Sequence, residues 1–142
     1  MKYSRVALSK FRIEQANEAL ADAQILFEKG SPANVIVLVY RSMLCATEAL
    51  LALIGVNAFK EAGALKLLAH HFVKKGLISP ECFKMMRTAM DMRIKSEKRD
   101  FSLLGKDEVY DAINKAKYFQ RQVRIALDGL IAKLQGETDD SQ

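Results

Sequence analysis

The side chains in this chain best suited to chemistry are Arg93 and Glu97, one helical turn apart in the run Met92-Arg93-Ile94-Lys95-Ser96-Glu97. A guanidinium fork binds phosphate or carboxylate in a planar, two-point fashion. A glutamate four residues on can pair with it. A second set is Arg41, Cys45 and Glu48, at i, i+4 and i+7, with Tyr40 beside them. The only histidines, His70 and His71, are adjacent. Neighbouring helical residues point about 100° apart, so the two do not chelate a metal together. Neither has a visible acid/base partner, and both read as surface or boundary residues. Cys45 and Cys82 lack CxxC or Cys/His spacing and read as small buried hydrophobes in a reduced, cytoplasmic setting. The seven glycines are scattered, mostly at helix ends, so no phosphate loop is formed. No metal and no cofactor is expected.

The elements that must position these residues read as helices, with no period-two strand pattern. A first helix is expected over about 9–29, with Ala16, Leu20, Ala23 and Phe27 on one face and Gly30 as its stop. Ser31 as cap and Pro32 at the first position open a second helix that runs to Ile54 and Gly55. Residues 56–63 read as a loop or irregular helix start, and a third helix follows over about 64–75, ending at Gly76. Ser79, Pro80 and Glu81 repeat the opening grammar for a fourth helix over 80–99. Asp107 can cap a long last helix over about 108–134, with Gly136 as its stop. The expected fold is all-α: an antiparallel up-and-down bundle of four long helices plus one shorter one. Residues 1–136 would form one domain and 137–142 a disordered acidic tail.

On the fourth helix, Phe83, Met86, Met90 and Ile94 gather on one side, and Arg93 and Glu97 fall inside that same arc. An unpaired buried charge costs several kcal/mol, so both must find partners. Helix two supplies candidates, and Arg41, Glu48, Arg93 and Glu97 could gather into one polar cluster with Tyr40. A plain register-fixing ion network, or side chains that reach out to water near the helix end, would give the same pattern. The Met-rich run Met85, Met86, Met90 and Met92 reads as core filling plus a dimer-facing patch.

Half the residues are apolar, 27% are charged, and the net charge is +5. That suffices for a core without staples, and it permits an acidic or RNA partner without requiring one. Residues 35–54 match a membrane span in length. Arg41 and Glu48 inside it would each cost about 2.5–3.5 kcal/mol at a bilayer centre. It reads as the central helix of a soluble bundle, and the start of the chain lacks a secretory pattern.

The run His71-Phe72-Val73-Lys74-Lys75-Gly76-Leu77-Ile78-Ser79 is the most specific stretch of a wider pattern. The rest is Leu20-x2-Ala23-x2-Leu26 before Gly30, an apolar helix holding Tyr40 and Glu48-Ala49-Leu50-Leu51, and then Arg93 and Phe101. Together these resemble small prokaryotic HEPN domains over roughly Leu8 to Leu134. The resemblance implies a helical bundle, a homodimer, association with RNA or nucleotides, and a minimal nucleotidyltransferase partner in a toxin–antitoxin-type pair. Active members are metal-independent ribonucleases with an arginine, a polar residue and a histidine on the fourth helix. Here Arg93 matches, but Ile94 replaces the polar residue and no histidine follows through Phe101. Glu97 and Lys98 stand where a related branch has Asp and Tyr. Leu38, Arg41 and Cys45 stand where Arg, Tyr and His are frequent, and Glu61 where a loop His is. The expectation is an RNA- or nucleotide-binding module without ordinary ribonuclease activity, with Arg93, Glu97, Arg41, Glu48 and Tyr40 shaping its groove. The alternatives are a divergent ribonuclease using Arg93 with Lys95, Glu97 or His71, and a helix-pairing structural protein.

Overall fold

The computed structural model describes residues 2–30, 32–57, 61–97 and 104–140. Expectations for Ser31, Lys98 and Phe101 therefore lie outside the described residues, as do 141–142 of the tail. Five helices form: α1 (Lys2–Glu28), α2 (Pro32–Leu53), α3 (Glu61–Leu68), α4 (Pro80–Glu97) and α5 (Lys106–Asp140). No strand occurs among the described residues.

The helix ends follow local chemistry. The α2 end closes on Gly55 at φ +75°, with Gly55 N–H donating to Ala52 and Val56 N–H to Leu51. This paired pattern satisfies carbonyls the helix would leave open, and it needs a residue without a Cβ penalty in the left-handed region. Ser79 caps α4 as expected, its hydroxyl accepting from Cys82 N–H at 3.2 Å.

Three expectations are corrected. The third helix does not run as one α-helix to Lys75: α3 gives way to a π turn over Ala69–Val73, where Lys74 N–H reaches back five residues to Ala69. The wider turn carries Phe72 into the core at 1% exposure. Asp107 is not a cap, because α5 starts one residue earlier and Gly105 C=O accepts from Val109 N–H. Gly136 does not stop α5, which continues to Asp140. A glycine stops a helix by adopting positive φ, and Gly136, unlike Gly30, Gly55 and Gly76, keeps negative φ.

Cross-helix contacts fix the topology. Ser9 with Ala49 and Arg12 with Glu48 make α1 and α2 antiparallel. Thr47 with Met86 and Tyr40 with Arg93 do the same for α2 and α4. Ala16 with Gln120 and Phe27 with Tyr110 do so for α1 and α5. The long helices thus run up, down, up, down, and α2 touches each of the other four. Its central place explains its composition. It has the length and apolarity to cross a membrane, at mean hydropathy 1.7, yet 72% of that window is buried within the bundle. Tyr40, Met43, Leu50 and Leu51 are at most 1% exposed.

Candidate functional site

The candidate site lies where α2 and α4 pack. On α4 the buried positions are Cys82, Met86, Ala89 and Ser96. Arg93 is one heptad on from Met86, so the helix turns it toward the same interior. Its side chain is 20% exposed, and its guanidinium carbon stands 4.9 Å from the centre of the Tyr40 ring. Tyr40 is itself 1% exposed. A guanidinium over an aromatic face is attracted by the ring quadrupole, more so where water is thinned out. Arg93 Nη1 also donates to Glu97 Oε1 at 3.1 Å. Ser96 Oγ donates to the Arg93 carbonyl at 2.8 Å, tightening the last turn of the helix.

Tyr40, Arg93 and Glu97 are therefore brought together. The single four-residue charged cluster is not the arrangement seen. Glu97 is on the buried arc by angle, but its side chain is 56% exposed. Ile94, expected in the core, is exposed. Glu48 turns to α1, where it pairs with Arg12 Nε at 3.5 Å, and Arg12 Nη1 donates to Gln15 Oε1 at 2.9 Å. Arg41 is exposed and lies with Arg12 and Glu48 around Cys45. Burial foremost, and then the Glu48 charge, pushes the Cys45 thiol up, while Arg41 and Arg12 pull the other way. The spacing of Arg41, Cys45 and Glu48 thus forms one seam as expected, but a seam shared with α1. Arg12 was not legible as a partner because no motif links it to Glu48; only packing brings the two helices together.

Both cysteines are free and buried. Burial raises the Cys82 thiol, opposed by its hydrogen bond with Ser79. His70 and His71 sit on the π turn with ring centres 4.8 Å apart, edge to face. His71 is lowered by partial desolvation, then by the neighbouring charges of His70 and Lys75. Leu77 and Ile78 N–H groups bond back to Phe72, so the histidines stay beside the start of α4. Arg93 is thirteen residues further along, about 20 Å at 1.5 Å per residue. Within one chain, histidine and arginine do not meet. No group of three or more metal-ligating side chains occurs among the described residues.

On another face of α4, a 310 Å³ cleft that Arg93 does not line opens toward α5, lined by Met43, Met85, Met92, Asp91, Lys95 and Glu108 among others. Part of the methionine run therefore fills the core (Met86) and part lines a cleft (Met85, Met92). Its rim carries both signs of charge, including the Lys115–Asp111 pair at 2.9 Å.

Comparison with known proteins agrees with this architecture. A family model described as HEPN domain matches residues 9–126. The "UPF0332 protein PH1297" of Pyrococcus horikoshii is 36% identical over 66 residues, which span 46% of this chain and 46% of that protein. "Putative toxin MJ0142" of Methanocaldococcus jannaschii is 28% identical, with 92% of this chain and 88% of that one covered. "Putative toxin MJ0605" of the same organism is 26% identical, over 84% of this chain and 88% of that one.

Proposed function

The chain belongs to the HEPN domain family, and from that premise we propose that it works as an RNA- or nucleotide-associated binding module without ordinary ribonuclease chemistry. The observation that carries this reading is Arg93 held over Tyr40 with its tip beside Glu97 at the water-facing end of α4. A phosphate that displaces or joins Glu97 would meet an arginine already ordered by the ring beneath it. The described residues after it are Ile94, Lys95, Ser96 and Glu97, with no histidine among them to serve as the usual acid/base partner of the arginine. The working form is a homodimer in the cytoplasm, beside a minimal nucleotidyltransferase in a toxin–antitoxin-type pair. Both the partner and the dimer are expectations carried by the resemblance.

A second reading is a divergent metal-independent ribonuclease. The toxin names of the two Methanocaldococcus relatives and the presence of Arg93 favour it. Binding of a labelled mononucleotide and of a short RNA to parent and Arg93→Ala protein tests the main reading. We expect at least a tenfold loss in the variant, as for a charge-assisted two-point contact worth about 1.5–3 kcal/mol. Binding unaltered by the substitution would rule Arg93 out as the ligand-holding group.

A further inference from the structure

On the face opposite the α2/α4 seam, α5 packs against α1 and leaves a groove of 250 Å³. Lys117, Arg121 and Arg124 line it, spaced i, i+4 and i+7 on α5 and so falling within one narrow arc. Ile13, Asn17 and Leu20 of α1 line it too. Gln120 also borders it, but its amide is spent on the Ala16 carbonyl at 2.8 Å. Among the described residues no ion pair neutralises Lys117, Arg121 or Arg124. No acidic residue occurs between Asp111 and Asp128. Where the groove continues toward the start of α1, Lys10 joins Arg124, and Glu14 and Asp128 mark its acidic limit. Outside the groove lining, on the next face of α5 about 100° round from Lys117, Tyr118 is 36% and Ile125 67% exposed.

We propose that this α1/α5 groove is a second binding site, a track for the phosphodiester backbone of single-stranded nucleic acid. Three unneutralised cations one turn apart match a ligand whose charge repeats along a line, and two of them are guanidinium forks suited to phosphate. Tyr118, exposed on the adjoining face of α5 and not in the groove itself, gives a base that splays away from the track a surface to lie on, a combination that single-strand binders use. An acidic peptide would satisfy the charges but would leave the Tyr118 ring without a role. With Gln120 engaged by the backbone of α1, Asn17 is left as the amide of the groove lining that can meet a base edge, so phosphate contacts dominate and sequence preference is slight. The site shares no residue with the Arg93 seam, and either can fail alone.

The test is fluorescence anisotropy of a short fluorescein-labelled single-stranded RNA, titrated at several salt concentrations. It compares the parent, Lys117→Gln/Arg121→Gln/Arg124→Gln, the control Lys74→Gln/Lys75→Gln/Lys84→Gln, and Arg93→Ala. Three phosphate contacts at about 0.7 each predict that the groove variant loses about 2 from the slope of log K against log salt. At low salt its affinity falls tenfold or more, while the control stays within threefold. All three groove side chains are at the surface, and a thermal melt checks that the variant is folded; Arg121→Gln alone is read if the triple substitution unfolds. An unchanged slope and affinity in the groove variant overturns the proposal, whatever Arg93→Ala does. So does displacement of the RNA by polyglutamate at equal charge concentration, which would make the groove a site for acidic polypeptide. Loss in the groove variant with none in Arg93→Ala would uphold the groove and refute the Arg93 site.

Discussion

If the Arg93 guanidinium rests on the Tyr40 ring, the two side chains are energetically coupled, and a double-mutant cycle reads that coupling directly. The variants are Tyr40→Leu, Arg93→Met and the double substitution. Methionine keeps most of the arginine stem, so packing lost along it is small. Cation–ring contacts contribute about 0.5–1 kcal/mol when exposed and about 2 when desolvated. Arg93 is 20% exposed over a ring that is 1% exposed, which places the coupling near 1–1.5 kcal/mol. The Glu97 pair adds little, about 0.3–0.5 kcal/mol as an i, i+4 surface contact, and it is lost in both arms that carry Arg93→Met. Urea unfolding followed by circular dichroism, at one fixed protein concentration, gives the four stabilities. The coupling should survive in high salt, because a desolvated contact is screened less than an exposed ion pair. A coupling within about 0.3 kcal/mol of zero would mean that the ring does not hold the arginine.

Ser9→Ala should cost about 1 kcal/mol, since its buried hydroxyl donates to Ala49 C=O at 2.8 Å, whereas Thr47→Val should stay within about 0.5, its partner being the weak acceptor Met86 Sδ at 3.3 Å; denaturant melts compare them. Gly129→Ala and Gly136→Ala, inside α5 with nothing within 4 Å of an added Cβ, should raise stability by about 0.5–1 kcal/mol each, while Gly30→Ala at φ +79° should lower it by about 1–2. Burial raises both cysteine thiols, so the native chain contributes stability that is full below the unfolded thiol pKa and is lost as pH rises through the folded one. Alkaline melts should steepen accordingly, and Cys82→Ala should flatten that fall; an unchanged alkaline slope would contradict it.

The bundle was readable in the chain because its boundaries are written in local chemistry. Gly30, Gly55 and Gly76 end helices by positive φ, and Ser79 caps α4 through its own hydroxyl. Gly136 shows the limit: the same residue type continues a helix when nothing demands the left-handed conformation. The π turn at Ala69–Val73 left no trace in apolar spacing, because it closes the helix and no further apolar repeat follows to reveal its shift of about 100°. At the site, angle alone placed Arg93 toward α2, because it shares the face of Met86, which meets Thr47 of that helix. Angle failed for Glu97 and Ile94, which share the arc but are exposed in the last described turn of α4, because angle gives a direction and not whether a neighbour covers it. It could not assign Glu48 to Arg12, since pairing between helices depends on packing that no single-helix spacing encodes. The groove cations Lys117, Arg121 and Arg124 did have a signal, an unneutralised i, i+4, i+7 stripe on the last helix.

The sharpest single measurement is a gel of end-labelled RNA, structured and single-stranded, incubated with the purified chain at stoichiometric protein and in EDTA. An Arg93 seam without a neighbouring histidine predicts intact RNA over hours, even where the same mixture shows a shifted complex on a native gel. Cleavage that disappears in Arg93→Ala protein would show that the chain cuts RNA with this arginine, and the binding-only reading would be wrong.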